Sequence, residues 1–420
     1  MLIRLLCSAL LLWPAFPLPA ATLSLAPLSI TQAQRLAVDR SRGLSAQDSA
    51  VAAARDMAVA AGQLPDPVLK LGVENLPVTG DDRFSLTRDF MTMRRVGLAQ
   101  EYTRSAKREL RAERFERQAD KMLAEKSATV ASIQRETALA WLDRYYAEAV
   151  ATLLAEQSRE AALEVEAAQS AYRGGRGSQA DVIAARSAQA MLDDRGSESV
   201  RRIQTAKTML ARWVGEAAAA PLAGKPAIDT VRVDAHSLDY QLAGHPEIAA
   251  LAAQEKIAEA EAHLAEANKK ADWSVELAYS QRGPAYSNMV SFGVSVPLQW
   301  DQKRRQDREV AAKLAQVDEA RGQRDEALRM HVAEVRVMHE QWENGRERLA
   351  RYQGELIPLA GERTQAALAA YRGGKASINE VLQARRGDIE VRIQALQIEL
   401  DTARLWAQLN FLFPDGEDHK

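Results

Sequence analysis

The chain of 420 residues contains one cysteine, and that cysteine lies among its first ten residues. Cys7 belongs to a segment, residues 1–21, that is typical of a secretory signal: it has Arg4, an apolar core ending at Trp13 and a small-residue cleavage region. We therefore expect Cys7 to be removed with this segment. A mature chain without thiols would exclude disulfides, cysteine nucleophiles and thiolate metal sites.

Further absences narrow the class of protein. No stretch after the N-terminal segment reaches the length of uninterrupted apolar sequence that a transmembrane helix needs. The 55 basic and 57 acidic residues are interspersed, which argues against a nucleic-acid-binding surface. Aromatic residues make up only 5% of the chain, as is typical of long packed helices. No catalytic constellation or phosphate-binding loop is present in the sequence, so we expect neither an enzyme nor a cofactor.

Proline and glycine are missing from one long interval. No proline occurs between Pro77 and Pro221, and no glycine between Gly97 and Gly174. Residues 103–171 are therefore predicted to form one helix roughly 100 Å long. Its larger apolar residues recur at three- and four-residue steps, which indicates a narrow coiled-coil-like contact. A second long helix is predicted from about residue 302, with a kink at Pro358.

The chain carries an internal repeat. The sequence Ala-Tyr-Arg-Gly-Gly at 171–175 recurs at 370–374, and the correspondence continues through Ser178 with Ser377 and Arg186 with Arg385. Repetition at a fixed offset predicts two structural repeats, 22–215 and 237–413. Each would contain a helix, two strands, a long helix, a glycine turn and a returning helix. Residues 216–236 are expected to link the repeats, and 414–420 to form a tail.

Two pairs of segments alternate between apolar and polar residues, as strands with two different faces do. The strands are predicted at about 68–76, 93–102, 273–280 and 289–297, and each is long enough to cross a bilayer at a tilt. The residues expected to face the membrane are Leu69, Leu71, Val73, Trp273, Val275, Leu277, Tyr279, Val290, Phe292, Val294 and Val296.

Four strands cannot close a membrane barrel, whose smallest bacterial examples have eight. An open sheet edge in lipid would leave backbone groups without hydrogen-bond partners. Several chains must therefore pool their strands, and three chains would supply twelve. The predicted fold class is mainly α with a small membrane β part, in which the polar strand positions line a wet lumen and the long helices extend the channel.

These features together resemble the TolC-like outer-membrane efflux family. The resemblance covers the duplicated halves, the Tyr-x-x-Gly turns at 172–175 and 371–374, and Val-Gly-Leu at 96–98 with Phe-Gly-Val at 292–294. It implies a homotrimer with a twelve-stranded barrel in outer-membrane lipid and a long periplasmic helical barrel. It also implies passive export in a tripartite pump, with a periplasmic adaptor and an inner-membrane pump of the resistance–nodulation–division type.

Leu64-Pro65-Asp66-Pro67 and Val73-Glu74-Asn75 are similar to the heavy-metal branch of this family, the CusC and CzcC proteins. That similarity implies heavy-metal cations as cargo, although a duct for drugs or for protein secretion is the alternative within the family. The chain lacks the lipid-attachment cysteine of several relatives.

The resemblance places the two glycine turns at the periplasmic tips, where family members close the channel and meet the adaptor. A plain helix-capping turn, repeated by duplication, is the alternative. The residues assigned to the tip are Tyr172, Arg173, Gly174, Gly175, Asp181, Tyr371, Arg372, Gly373, Gly374, Lys375 and Glu380.

Two further patterns have an ordinary interpretation beside a functional one. Met330-His331 and Met338-His339 could contact soft metal ions. However, eight residues separate them by about 12 Å along a helix, so they cannot chelate one ion together, and no metal site is predicted. Lys107-Arg108 and the basic residues 303–305 either meet lipid headgroups or begin a solvated helix.

Two other classes of protein remain as alternatives. A periplasmic adaptor is also exported and also has a long helical hairpin, but it carries one hairpin and several β-rich modules. A soluble coiled-coil structural or sensor protein would have no reason for regular alternation at 273–279 and 290–296. Fractionation of the cell envelope separates these classes from an outer-membrane trimer.

Overall fold

The structure, a computed structural model, describes residues 26–414 of the chain. The expected signal segment at 1–21 and all but the first residue of the expected tail at 414–420 lie outside the described residues. Each half of the described chain contributes short helices, two strands and a pair of long antiparallel helices. The helices are α1 (Ile30–Asp39), α2 (Arg42–Ala61), α3 (Ser105–Arg173), α4 (Gln179–Val214), α5 (Leu238–Ala243), α6 (Pro246–Ala267), α7 (Gln306–Arg351), α8 (Ile357–Arg372) and α9 (Ile378–Asn410), and the strands are β1 (Val68–Glu74), β2 (Met93–Tyr102), β3 (Trp273–Gln281) and β4 (Met289–Ser295).

The longest element is α3, a single helix of 69 residues. At 1.5 Å per residue it is about 100 Å long, as the proline-free interval predicts. It begins directly after β2 and ends at the first glycine turn, so the sheet and that turn lie at opposite ends of the molecule. None of the helices between residues 26 and 414 combines the length and the apolar character that crossing a bilayer requires.

The second long helix is interrupted where the sequence contains Pro358. A π-helical turn, Tyr352–Leu356, separates α7 from α8, and Pro358 lies in the first turn of α8. Proline has no backbone N–H and its ring clashes with the carbonyl of residue i−4, so the preceding turn widens to accommodate it. The start of this helix was predicted too early, because residues 301–305 form a turn and α7 begins at Gln306.

The largest core cluster joins the two halves. Trp141 and Leu142 of α3 pack with Leu210 of α4 and with Ala403 and Ala407 of α9. The segment between the repeats, expected as a linker at 216–236, is part of this core and of a neighbouring cluster. Its Ile228 and Val233 are buried, and the Trp342 indole N–H donates to the Ile228 carbonyl over 3.2 Å. The two repeats are therefore packed together through the chain that connects them.

The four strands form one antiparallel sheet in the order β1-β2-β3-β4. The two strand pairs from the two halves meet at its centre, where Val96 of β2 lies opposite Tyr279 of β3 and Leu98 opposite Leu277. Strands β1 and β4 are the two outer strands of this sheet within the described chain. One sheet therefore contains the strands of both repeats, and the outer edges of β1 and β4 pair with no other strand of the described chain.

A buried histidine contact ties α6 to α7 beside the C-terminal end of α9. His245 precedes α6, and its ring lies 4.2 Å from the ring of His331 and 5.6 Å from that of Phe413. The His245 Nδ1 atom accepts the backbone N–H of Glu247 over 3.3 Å. Burial, together with the neighbouring His331, lowers the pKa of His245 to about 4 from its ordinary 6.5.

We predict that acid destabilises the fold through His245. Its folded pKa lies below its ordinary value, so on acidification the unfolded chain takes up the proton first. The contribution to stability is complete above pH 6.5 and is lost as the pH falls toward 4, amounting to about 3 kcal/mol. His245→Asn keeps an acceptor for the Glu247 N–H but does not titrate. Its unfolding free energy, measured by denaturant titration between pH 7 and pH 4, should depend less on pH than that of the wild type, and an equal dependence would contradict the prediction.

Candidate channel wall and hairpin tips

The sheet has one apolar face and one polar face. Leu69, Leu98, Leu277 and Phe292 lie opposite one another across all four strands. The next such row is Leu71, Val96, Tyr279 and Val290. Phe292 is 72% exposed and Leu71 and Val290 are each 70% exposed, so this face has no cover within the described chain.

The predicted membrane-facing residues share this apolar face, with two qualifications. Val275 is half-buried, and Val296 lies just after the last residue of β4. At the end of the sheet where α3 begins, Trp273 stacks on Tyr102 with ring centroids 4.7 Å apart. A pair of large aromatic rings at one end of an apolar face is typical of a membrane interface.

The polar face carries a network of ion pairs that spans three strands. The Arg95 guanidinium on β2 donates to Glu74 on β1 and to Glu276 on β3, each over 2.7 Å. Lys70 on β1 reaches the same Glu276 carboxylate over 2.6 Å. The sequence predicted Glu276 as a polar-face residue but not its partners, because they lie more than 180 residues away in the chain.

Gly97 leaves the space that this network uses. It stands between Lys70 and Ala278 in the register, so Lys70 reaches Glu276 across a strand position without a side chain. A Cβ atom at Gly97 would lie 3.2 Å from the Ala278 Cβ and 3.5 Å from Glu276 Oε1. The Val-Gly-Leu sequence at 96–98 therefore has a packing role, because two strands approach closely there.

The two glycine turns have the same backbone geometry. Gly175 and Gly374 adopt positive φ angles of 69° and 68°. In each turn the following residue closes the end of the helix. The Arg176 N–H donates to the Ala171 carbonyl over 2.9 Å, and the Lys375 N–H to the Ala370 carbonyl over 2.8 Å. This is the Schellman arrangement, in which glycine accepts the left-handed conformation without steric cost.

Each returning helix begins with a capping box. The Asp181 N–H donates to the Ser178 hydroxyl over 3.1 Å, and the Ser178 N–H donates to the Asp181 carboxylate over 2.8 Å. Ser377 and Glu380 repeat this reciprocal pair. Two of the eleven predicted tip residues, Asp181 and Glu380, therefore cap helices in the isolated chain. Local backbone chemistry accounts for this part of the repeat.

Apart from the glycines, the remaining tip residues are basic or aromatic, and the basic ones are exposed. Arg173 and Arg176 are exposed at the first turn, as are Arg372 and Lys375 at the second. Tyr172 is exposed, whereas Tyr371 is half-buried. Because the nearby carboxylates accept helix-capping hydrogen bonds, the cationic groups are the more available polar groups at both turns.

Met330-His331 and Met338-His339 do not line one continuous path along the helix surface. Met330 is exposed, whereas Met338 packs against the cluster around Leu238 and Val335. His331 Nδ1 lies 3.9 Å from Glu334, and His339 Nδ1 lies 3.8 Å from Glu343. Within residues 26–414, no group of three or more His, Cys, Asp and Glu side chains could hold a metal ion.

Lys107 fits neither of its two interpretations, contact with lipid headgroups or a solvated helix start. Lys107 is buried, and its ammonium group forms an ion pair over 2.8 Å with the carboxylate of Asp272, the residue just before β3. Arg108 donates to the Gly62 carbonyl over 3.0 Å. Both cations are therefore held at the helix–sheet junction by groups of the same chain, Lys107 by a carboxylate and Arg108 by a carbonyl.

Sequence reasoning missed one ionic cluster near the tips, which we call the Arg385 cluster: Glu160 and Glu164 of α3 with Arg385 of α9. The Arg385 Nε atom donates to a Glu164 carboxylate oxygen over 2.5 Å, and its Nη1 atom contacts Glu160. Glu160 and Glu164 are four residues apart, on one face of α3. Arg385 corresponds to Arg186 in the internal repeat, and this correspondence singled it out in the sequence. Nothing in the sequence indicated that Glu160 and Glu164 are its partners.

The fold is that of known outer-membrane channels. The chain superposes on OprN, described as an outer-membrane channel, with a TM-score of 0.76 at 16% identity, covering 92% of this chain and 90% of that one. For CusC, whose structures are described in terms of transmembrane channel formation, the TM-score is 0.76 at 14% identity, with 92% and 93% covered. The MtrE outer-membrane channel of Neisseria gonorrhoeae, solved in an open state, gives 0.69 at 15% identity, with 91% and 88% covered.

These likenesses extend over nearly the whole chain and over nearly the whole of the solved structures, so they concern the complete architecture. No protein-family model matches the sequence, and no curated protein matches it either. The relation to these channels is therefore visible in the structure and not in overall sequence similarity.

We predict that the positive-φ glycines stabilise the turns. Gly175→Ala should cost about 1 kcal/mol locally, because an L-residue is strained in the left-handed conformation. Gly174→Ala is the matched control, since its φ of −80° suits any residue. Amide exchange of the Arg176 N–H should become about fivefold faster in Gly175→Ala, as 1 kcal/mol implies, and change little in Gly174→Ala. Equal rates in the two variants would refute this assignment.

Proposed function

We propose that this chain forms the outer-membrane exit channel of a tripartite efflux pump. Three copies would pool their four strands into a twelve-stranded barrel, and the paired long helices would continue it as a periplasmic tunnel. The observation that carries the proposal is the two-faced sheet. One face exposes rows of leucine, valine and aromatic side chains, the other holds ion pairs, and helices of about 100 Å extend from one end.

The unpaired sheet edges support the proposed assembly. Strands β1 and β4 each present a row of backbone groups that pair with nothing else in the described chain. In lipid such groups cost several kcal/mol each unless another strand bonds them, and only closure removes every edge. Further copies of the same chain supply such strands. The apolar face would then meet lipid, and the Lys70–Arg95–Glu276 network would line the lumen.

The proposed location is supported by the similar structures, and the proposed partners by the family resemblance. The similar structures OprN and MtrE are outer-membrane channels, which supports an outer-membrane location with the helices in the periplasm. A passive duct needs a source of energy elsewhere, so an inner-membrane pump of the resistance–nodulation–division type and a periplasmic adaptor complete the proposal. The exposed cations at the glycine turns are the proposed adaptor contact.

The alternative classes fit less well. A soluble coiled-coil protein would expose the rows around Phe292 to water, and contiguous apolar patches of this kind are rare on soluble monomers. A periplasmic adaptor has one helical hairpin, whereas this chain has α3 with α4 and α7–α8 with α9. The solved structures OprN and CusC, to which this chain is similar, are described as channels and not as enzymes.

The orientation of the sheet can be tested with neighbouring residues on β4. Ser291 lies on the polar face and Phe292 on the apolar face. In intact outer membranes, a water-soluble, bilayer-impermeant maleimide should label Ser291→Cys and not Phe292→Cys, because only the lumen is wet. After denaturation both variants should react equally, which controls for expression. Labelling of Phe292→Cys in the membrane, with Ser291→Cys protected, would reverse the proposed orientation.

The role of the tip cations can be tested by charge reversal. We expect Arg173→Glu and Arg372→Glu each to reduce crosslinking to the adaptor and export several-fold in a strain lacking the native protein. Arg159→Glu is the matched control, because Arg159 is an exposed cation on the same helix about 20 Å from Arg173. Unchanged crosslinking and unchanged export in both tip variants would remove the turns from the proposed adaptor contact.

We propose heavy-metal cations as the cargo, on the resemblance of the short segments 64–67 and 73–75 to the CusC and CzcC branch. The fold does not discriminate here, since the chain superposes equally well on CusC and on OprN. A strain lacking the native protein separates the possible cargoes. Loss of tolerance to copper, silver, zinc, cobalt or cadmium alone supports metal export. Sensitivity to hydrophobic drugs alone keeps the channel but rejects the metal cargo.

A further inference from the structure

Four ionic side chains on the polar face of the sheet form one group, which we call the Arg95 network: Lys70 and Glu74 of β1, Arg95 of β2 and Glu276 of β3. Glu276 is its centre, because each of its carboxylate oxygens holds a different cation. Oε1 lies 2.7 Å from the Arg95 guanidinium, and Oε2 lies 2.6 Å from the Lys70 ammonium group. Arg95 also bonds Glu74 over 2.7 Å. The two cations and two carboxylates cancel in formal charge.

The Arg95 network stands on a floor of small residues. Beside and between its members, the polar face carries Gly72, Gly97, Ala99, Ala278, Ser280, Ser291 and Gly293. A Cβ atom added at Gly72 or at Gly293 would meet no neighbouring atom within 4 Å. The packing of the described chain therefore does not require glycine at these two positions, whereas Gly97 lies close against Ala278. Open space thus remains beside Arg95, which is opposite Gly72, and beside Glu276, which is opposite Gly293.

Charged side chains that line a pore decide which ions pass through it. Low-dielectric walls focus the field of such charges into the aqueous space, so an excess of one sign concentrates ions of the opposite sign. The residues of β4 include no charged side chain, so β1, β2 and β3 supply the charges of the network. Because every carboxylate in the network contacts a cation, neither sign is in excess.

We propose that the Arg95 network determines the ion selectivity of the barrel, and that the internal pairing of its charges keeps the barrel nearly unselective between cations and anions. This inference rests on the proposed channel, in which the polar face lines the lumen. Glu276 maintains the balance, because it is the carboxylate that Lys70 and Arg95 share. The barrel would then admit solutes of either charge, and selection of the cargo would take place elsewhere in the pump.

A purely structural role for the network leads to a different expectation. Strand β2 belongs to the first repeat and β3 to the second, so the ion pair of Arg95 with Glu276 also joins the two repeats. If the network did no more than this, removing a member would change stability without a change in selectivity whose sign follows the charge removed. Ion pairs that water reaches contribute little to stability, and half of the Lys70 side chain is exposed.

Reversal potentials of the purified full-length protein in planar bilayers, under a gradient of potassium chloride, test the inference. Glu276→Gln leaves Lys70 and Arg95 without their shared carboxylate, so the permeability ratio of chloride to potassium should rise several-fold. Lys70→Gln and Arg95→Gln each leave an excess of negative charge, so the same ratio should fall several-fold. Arg94→Gln is the matched control, because Arg94 precedes Arg95 in β2 but lies on the opposite face, where it donates to the Arg282 carbonyl over 3.2 Å. It should leave the ratio unchanged.

Opposite shifts in Glu276→Gln and Arg95→Gln, with none in Arg94→Gln, would support the inference. A ratio equal to that of the wild type in all variants would overturn it. Shifts in the same direction in Glu276→Gln and Arg95→Gln would also overturn it, because the charge removed would then not be the cause. A wild-type protein that neither conducts nor forms a trimer in native mass spectrometry would instead refute the proposed function, and the inference with it.

A second measurement probes the potential beside the network and does not need current through the whole channel. Ser291 lies on the polar face of β4, opposite Ala278 and two residues along β3 from the level of Glu276. Ser291→Cys, introduced with Cys7→Ala, is labelled in intact outer membranes with two methanethiosulfonate reagents, one carrying a sulfonate and the other a trimethylammonium group. The ratio of the two labelling rates reports the sign of the local potential, because a reagent is concentrated by charges opposite to its own.

Adding Glu276→Gln to Ser291→Cys should raise the rate ratio of the anionic to the cationic reagent several-fold, and adding Arg95→Gln should lower it several-fold. An unchanged ratio in both combinations would show that the Arg95 network does not set the potential of the lumen, and would overturn the inference. A lack of labelling of Ser291→Cys by either reagent in the membrane, with full labelling after denaturation, would contradict the lumen-facing orientation of the polar face and so refute the proposed channel wall itself.

Discussion

Backbone hydrogen bonding at the outer edges of β1 and β4 is the constraint on which the proposed architecture depends. A strand of seven residues can remain unpaired in water, but in hydrocarbon its N–H and C=O groups need partners. The sheet of one chain cannot curve back to pair its own edges, because four strands are too few to enclose a lumen. In the proposed channel, strands from further copies would pair with these edges, and the apolar face already present in one chain would then cover the outside of the barrel.

The sequence was informative where structure is determined locally. The absence of proline and glycine predicted α3, and the paired glycines with Ser178, Asp181, Ser377 and Glu380 marked the turns. Alternation of apolar and polar residues indicated all four strands. In each case the deciding interactions lie within a few residues, as capping and strand periodicity do.

The sequence was uninformative where contacts join distant parts of the chain. Arg95 and Glu276 are 181 residues apart, and Arg385 and Glu164 are 221 apart. Neither pairing follows from local spacing. The same limitation applies to Lys107, whose partner Asp272 is distant in the sequence. It applies also to the segment around Ile228, which has the composition of a linker but is held by the Trp342 indole N–H. Tertiary packing decided these positions.

The packed connection between the repeats has a consequence for the independence of the two halves. Trp141 lies beneath Ala403 and Ala407 of the other half, and its indole N–H donates to the Leu28 carbonyl over 2.8 Å. Leu28 in turn pairs with Leu222 in the connecting segment. A half-length chain would lack that segment and would leave the space beside Trp141 and Trp342 unfilled. The two halves are therefore not interchangeable modules, because each completes its core with the chain that joins it to the other.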